Sequence, residues 1–348
     1  MAMTIVEATR TVVGGIDTHS RVHVAAALDD VGGLLGSESF AANPAGYAAL
    51  VSWLEGFGQV TKVGVEGTGS YGAGICRFLM RSGIEVVEVD RQNRQARRNA
   101  GKSDPLDAVE AARAALSGKA SGRAKSRDGW VEALRVLLVA TRSARTARVK
   151  ALTQMRAVTY SAPDELRGRL EGLSISAFVS SAQLLRPSRA RDQVMAATKA
   201  TLSSLAHLVN DLEAEITGLD AMITPLVRSN APELLAIRGV GIDTAASLLV
   251  AAGDNPERLR SEAAWAHLCG VSPLEASSGK VTRHRLNRGG DRQANSALWH
   301  IVITRLAIDP DTQVYMERRV KEGRSKREVV RVLKRYVARE VYRAMPRG

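Results

Sequence analysis

Four carboxylates in the first third of the chain have the types and spacing to hold a hard cation. Asp17 closes the stretch TVVGGIDTH (residues 11–19), and Glu66 closes VGVE, just before glycines that leave room for a backbone or a ligand. Asp104 and Asp107 stand three residues apart in KSDPLDAVEAARAAL (102–116), so a helix there carries both on one face. Oxygen donors of this kind suit Mg²⁺ or Mn²⁺ beside a phosphate. The last pair also reads as an ordinary helix start, with Asp104 as N-cap, Pro105 at the first helical position and Asp107 in the first turn. Both readings want the same residues. They are compatible, because a cap fixes the carboxylate and leaves its outward lone pairs for a metal.

To act together, these residues need a sheet and a helix that converge. Residues 11–19, 22–30 and 34–42 read as three consecutive strands joined by tight turns. A capped amphipathic helix is expected over 43–58, a strand over 62–69 running into a glycine-rich loop, a helix over 74–83, a strand over 85–91 and a helix over 104–120. Three strands followed by alternating strands and helices is the order of an RNase H-like α/β domain, assigned here to residues 1–125. In that arrangement a carboxylate on the first strand is joined by one at the end of the fourth strand and one or two from a late helix. Asp17, Glu66, Asp104 and Asp107 occupy those places.

The charge balance points to a polyanionic partner. The 348 residues carry a net charge of +13, unevenly spread: residues 1–120 hold 12 Lys/Arg against 13 Asp/Glu, and residues 121–348 hold 37 against 23. Arg94, Arg97, Arg98 and Lys102 crowd the segment before the late helix, where phosphate contact is expected. Cys76 and Cys269 lack metal-ligand spacing and fit a reduced cytosol. There is no apolar run of membrane-spanning length and no signal-peptide pattern, so a cytoplasmic, nucleoid-associated protein is expected.

Residues 126–228 change character and read as mostly helix. Leu202, Leu205, Val209, Leu212, Ile216, Leu219, Ile223 and Leu226 follow a 3-4 alternation that suits an intermolecular coiled coil, or else a bundle helix packed within its own domain. Arg142, Arg145, Arg148 and Lys150 on the preceding helix form either a solvated face or a nucleic-acid track. Residues 229–348 make a third, mostly helical unit. LLAIRGVGIDTAASLLVAAGD (234–254) reads as a helix-hairpin-helix, with Gly239 and Gly241 allowing a backbone approach to phosphate, or as a helical hairpin that only packs. Beyond it, Ser277 and Ser278 stand in a loop followed by Lys280, Arg283, Arg285, Arg288 and Arg292. Glu275 and His284 are the only catalytic partners near these serines, which argues against a hydrolase triad.

Taken in order along the chain, GIDTH, VGVEGTGSYG, KSDPLDA, IRGVGIDTAASLL, CGVSPLEASSGK and RLNRGGDRQANSALW resemble the insertion-sequence-110 family of transposases over nearly the full length. These are also described as bridge-RNA-guided recombinases. The resemblance implies a RuvC-like domain whose Asp17, Glu66, Asp104 and Asp107 bind Mg²⁺, a coiled-coil middle and a C-terminal domain with a catalytic serine. Ser278, directly before glycine, takes the nucleophile's place, with Ser277 the alternative. It further implies a covalent 5′-phosphoserine intermediate and a noncoding bridge RNA that pairs with donor and target DNA. The expected assembly is a homo-oligomer, dimeric and then tetrameric on nucleic acid, with serine and carboxylates drawn from different subunits. Many relatives carry a lysine after the first histidine, where this chain has Ser20 and then Arg21. The rival readings are a Holliday-junction endonuclease using the same carboxylates with water as nucleophile, and a non-catalytic architectural DNA-binding protein.

Overall fold

Alternate residues of the first strand face two different helical layers, and this alternation organises the first half of the molecule. The computed structural model describes residues 10–89, 104–120, 122–254, 259–278, 281 and 283–346, Asp104 in its backbone alone. The chain divides into two compact units. One comprises the described residues up to Glu132 with Ala252–Ala264, the other Ala133–Ala251 with Trp265–Pro346.

Among the described residues of the first unit, six strands form one mixed sheet: β1 (Thr11–Thr18), β2 (Val22–Leu28), β3 (Leu34–Ala41), β4 (Gln59–Glu66), β5 (Glu85–Val89) and β6 (Gly122–Arg123). Their order is β3-β2-β1-β4-β5-β6. β1, β2 and β3 pair antiparallel, β1–β4 and β4–β5 pair parallel, and β5–β6 pair antiparallel. The parallel steps need crossovers, which α1 (Pro44–Glu55) and α2 (Ala73–Arg81) provide. Asn43 starts α1 by accepting the Gly46 amide at 2.9 Å, with Pro44 in the first turn, where its missing N–H costs nothing.

On one face of the sheet, Val12, Ile16, Val63 and Val65 pack with Leu50 and Leu54 of α1 and Ile75 and Leu79 of α2. On the other face lies α3 (Asp104–Leu116), whose Ala108, Val109 and Ala112 cluster with Val24, Ala26 and Leu28. Two strand glycines bring α3 unusually close. A Cβ on Gly15 would stand 2.1 Å from the Ala108 carbonyl oxygen, and one on Gly64 2.4 Å from that of Ala111. With alanines on the helix side as well, backbone packs nearly against backbone.

The second unit is mostly helical. It holds most of α4 (Trp130–Tyr160), then α5 (Asp164–Leu170), α6 (Ile175–Gln183), the 38-residue α7 (Gln193–Asn230) and α8 (Pro232–Ala236). It continues through α9 (Ile242–Ala252), the end of α10 (Glu262–Leu268), α11 (Arg292–Ile308), α12 (Pro310–Lys321) and α13 (Lys326–Ala344). A small ribbon, β7 (Leu274–Glu275) with β8 (His284–Arg285), stands between α10 and α11 in the chain. Along α7, Leu202, Val209 and Ile223 are buried, whereas Leu212, Ile216 and Leu219 in the middle of the apolar seam are half-buried.

The arginines of α4 answer a question the sequence leaves open. Arg145 pairs with Asp243 at 2.8 Å and Asp220 at 3.2 Å, Arg148 pairs with Glu213, and Arg142 donates to Ser247 Oγ at 3.0 Å. They tie α4 to α7 and α9 and are neither a bare solvated face nor an open cationic track. Among the described residues no helix is long and apolar enough to cross a membrane.

Candidate active site

The two strand ends that carry carboxylates are adjacent. Ile16 pairs with Val65 in the parallel register of β1 and β4, so Asp17 and Glu66 follow side by side. Strand residues alternate faces, hence Asp17 points the same way as Gly15, and Glu66 the same way as Gly64: toward α3. Thr18 secures the pair by donating its hydroxyl to the Glu66 carbonyl at 2.8 Å. Gly67 then turns the chain away at φ +77°, a conformation that favours glycine.

Helix α3 runs opposite to β1. Ala115 clusters with Val13, and Ala108 lies against Gly15. Going from Gly15 to Asp17 advances about 6.6 Å, and going back from Ala108 to Asp104 about 6 Å. The first turn of α3, with Asp104 and the half-buried Asp107, therefore reaches the same end and face of the sheet as Asp17 and Glu66. The carboxylate of Asp104 lies outside the described residues, and among the described ones no three His, Cys, Asp or Glu side chains already form a cation cage.

The donor chemistry fits a divalent ion. Asp17 and Glu66 are only 7% and 6% exposed, and two buried carboxylates on neighbouring strands repel each other unless positive charge compensates. His19 Nε2 lies 3.1 Å from Asp17 Oδ2 and supplies such compensation when protonated. All four candidate side chains are carboxylates, the set that Mg²⁺ or Mn²⁺ takes.

In the second unit, Ser278 sits beyond the β7–β8 ribbon. Its amide donates to the Val281 carbonyl and its carbonyl accepts the Val281 amide, both at 3.1 Å, leaving an exposed residue on a narrow tip. The hydroxyl of the adjacent Ser277 is engaged inside the ribbon, accepting the Arg283 amide at 3.2 Å. Arg283, Arg285, Arg288 and Arg292 are exposed around this ribbon. Arg94, Arg97, Arg98, Lys102 and Lys280 lie outside the described residues.

Gly239 and Gly241 form the turn between α8 and α9, Gly239 at φ +82°. The Gly241 amide is already used, donating to Thr244 Oγ1 at 3.0 Å. Asp220 and Asp243 stand beside this turn, with Arg145 between them. The turn is thus less cationic than its glycines alone suggest.

Burial raises both thiols, that of Cys76 to about 12, so neither is a nucleophile near neutral pH. Sequence reasoning missed Trp299 and Tyr336. They line one cleft together with Arg288 and Arg292, but lie on two helices far apart in the chain. An aromatic among arginines was their only available signal.

Residues 14–160 match a family model described as transposase, of the DEDD type of IS110, and residues 231–317 match the transposase family IS116/IS110/IS902. The chain is 30% identical over 125 residues to the insertion element IS110 uncharacterized 43.6 kDa protein of Streptomyces coelicolor, covering 35% of this chain and 31% of that protein. It is 25% identical over 192 residues to the insertion element IS900 uncharacterized 42 kDa protein of Mycobacterium paratuberculosis, covering 51% of this chain and 48% of that one. The matched region spans less than half the length of either relative.

Proposed function

Because the chain belongs to the IS110 family of transposases, we propose that it cleaves and exchanges DNA strands for an insertion sequence, through Ser278 and a metal site made of Asp17, Glu66, Asp104 and Asp107. The observation that carries this reading is the pair of buried carboxylates on adjacent strand ends, beneath the helix turn that holds the other two. The strand order, with β1 central and parallel to β4, supports an RNase H-like, RuvC-like assignment for this unit.

In the reaction, the Ser278 hydroxyl loses its proton to solvent and its oxygen attacks a DNA phosphorus. The phosphorus–O3′ bond breaks as the phosphorus–Oγ bond forms, and the departing oxygen takes up a proton as a 3′-OH. The 5′ end stays on the serine as a phosphodiester, so the strand can be rejoined to a new 3′-OH without ATP. When bound at the four carboxylates, Mg²⁺ or Mn²⁺ supplies charge neutralisation for the phosphate and the oxygens entering and leaving it. Thr18 and the glycines beneath α3 hold those carboxylates in register. Arg283, Arg285, Arg288 and Arg292 bind phosphates without reading sequence, as do Arg94, Arg97, Arg98, Lys102 and Lys280. The turn of Gly239 and Gly241 is where the helix-hairpin-helix meets DNA, through groups other than the Gly241 amide, which Thr244 holds.

Sequence selection then falls to a bridge RNA pairing with donor and target DNA, which requires only backbone recognition from the protein. The half-buried middle of the α7 seam supports a homo-oligomer through a coiled coil. The family resemblance implies that serine and carboxylates come from different copies.

The test mixes full-length protein, Mg²⁺, RNA transcribed from the flanking DNA, and labelled donor and target duplexes, and resolves the products under denaturing conditions. A protein–DNA adduct that disappears in Ser278→Ala and in Asp107→Ala is expected. An adduct that survives Ser278→Ala but not Ser277→Ala moves the nucleophile by one residue. Metal-dependent cleavage with no adduct overturns the serine mechanism in favour of a nuclease that uses water.

A further inference from the structure

At the base of the serine ribbon the second unit opens into a cleft of about 810 Å³, within the size range of pockets that enclose a small molecule. It is bounded by the segments leading into β7 and out of β8, and by α11 and α13. Leu286, Trp299, Val332 and Tyr336 give it apolar surface, the two aromatics each 43% exposed. Arg288, Arg292, Arg331, Lys334 and Arg335 also line it, and among the described residues no carboxylate does.

The cleft is rigidly built. Its two bounding segments touch at Gly270 and Gly290, where a Cβ on Gly290 would stand 2.4 Å from the Gly270 amide nitrogen. Asn295 donates to the Cys269 carbonyl at 2.8 Å and accepts from Lys334 Nζ at 2.8 Å, fixing α11 to the loop and the lysine to α11. Lys334 is half-buried and meets an amide oxygen there in place of a carboxylate. Burial and the neighbouring Arg331 push its pKa below the usual lysine value. A desolvated cation with a neutral partner favours an incoming anion.

Apolar rings beside Arg288, Arg292 and Lys334 are what an unpaired nucleotide requires: a face on which a base can stack, and positive charge for its phosphate. A duplex hides its base faces and would leave the rings unused. We infer that this cleft binds a single unpaired nucleotide, its base on Trp299 and Tyr336 and its phosphate at Lys334, Arg288 and Arg292. Resting on the reading of Ser278 given above, it would hold the strand released beside the cut. Pro273 and Ser278 are five residues apart, at most about 17 Å of extended chain.

The experiment measures binding of the full-length protein to a labelled single-stranded DNA, to single-stranded RNA of the same sequence and to the blunt DNA duplex. Trp299→Ala is expected to weaken single-strand binding on the order of 10-fold and duplex binding less than about 2-fold, with Trp299→Phe retaining most of the affinity. A single-strand DNA carrying 2-aminopurine should lose fluorescence on binding to the native protein and not to Trp299→Ala. A selective loss on either single strand supports the pocket, and the larger loss identifies the strand. Equal losses on single strand and duplex, or no loss on either, overturn it. Adduct formation is read on the same native preparation: no adduct together with a selective Trp299 effect sinks the serine reading and leaves the pocket, and an adduct without that effect sinks the pocket alone.

Discussion

The two candidate centres are held in opposite ways. Asp17 and Glu66 are buried at the ends of neighbouring central strands, under a helix that glycines draw almost into backbone contact. Ser278 is exposed on the tip of a ribbon whose strands are two residues long. A metal site needs several oxygens placed within a fraction of an ångström, and only a packed core supplies that before any ligand arrives. The proposed nucleophile, exposed on a short ribbon, has room to follow a DNA strand through exchange. Under the proposed function, preorganisation falls to the carboxylates and adaptability to the serine.

The sharpest way to break this comparison is to enlarge one small side chain at each centre. Gly15→Ala drives a Cβ into the Ala108 carbonyl and must lift the first turn of α3. It should cost about 3 kcal/mol and abolish any stabilisation of the protein by Mg²⁺ in thermal unfolding. Ala276→Val, on the exposed ribbon, should change stability by less than about 0.5 kcal/mol. If the two substitutions cost the same, the carboxylate face is not preorganised by that packing.

Much of the first centre was legible in the sequence. Strand and helix signals placed β1 to β5 and α3 within a few residues, because each is long enough to show its period. The close approach at Gly15 and Gly64 was not read from the sequence, because the alanines that meet them lie on a helix far along the chain. The second centre was less legible. β6, β7 and β8 have two residues each, too few for any alternation, so the serine segment read as plain loop. The cleft beside it is assembled from Trp299 and Tyr336 on separate helices, and no local pattern joins them. The α4 arginines stayed an open question for the same reason: the carboxylate partners of Arg145 and Arg148 lie 65 to 98 residues further along the chain.

Those arginines give a smaller, second test. If Arg145 braces the helices, Arg145→Ala leaves Asp220 and Asp243 without their shared cation and should destabilise the protein by about 1 kcal/mol. The salt dependence of DNA binding should stay as it was. A variant with unchanged unfolding, whose salt slope falls by about 1, would instead make Arg145 a phosphate contact and place the nucleic-acid track on α4.

The smallest expected effect comes from the core beneath the carboxylates. His23, opposite Thr18 in the β1–β2 register, is fully buried and stacks on Tyr47 with ring centroids 5.7 Å apart. Neither ring nitrogen has a well-formed hydrogen bond among the described residues. Burial lowers its pKa, the nearby backbone of Val22 partly opposing this and His19 adding to it. The folded protein thus keeps the ring neutral at a pH where the unfolded chain, with its histidine near 6.5, already takes up a proton. Stability should therefore fall as pH drops from about 8 to about 5.5, above the range where carboxylates titrate. His23→Phe keeps the ring stacking and removes the proton site, so the difference between the two unfolding curves isolates this residue from His19. A difference that grows toward low pH marks the first unit as a core that excludes charge beneath its carboxylate face. A flat difference would mean that water or a proton reaches His23, and that the face above it is more open than its burial implies.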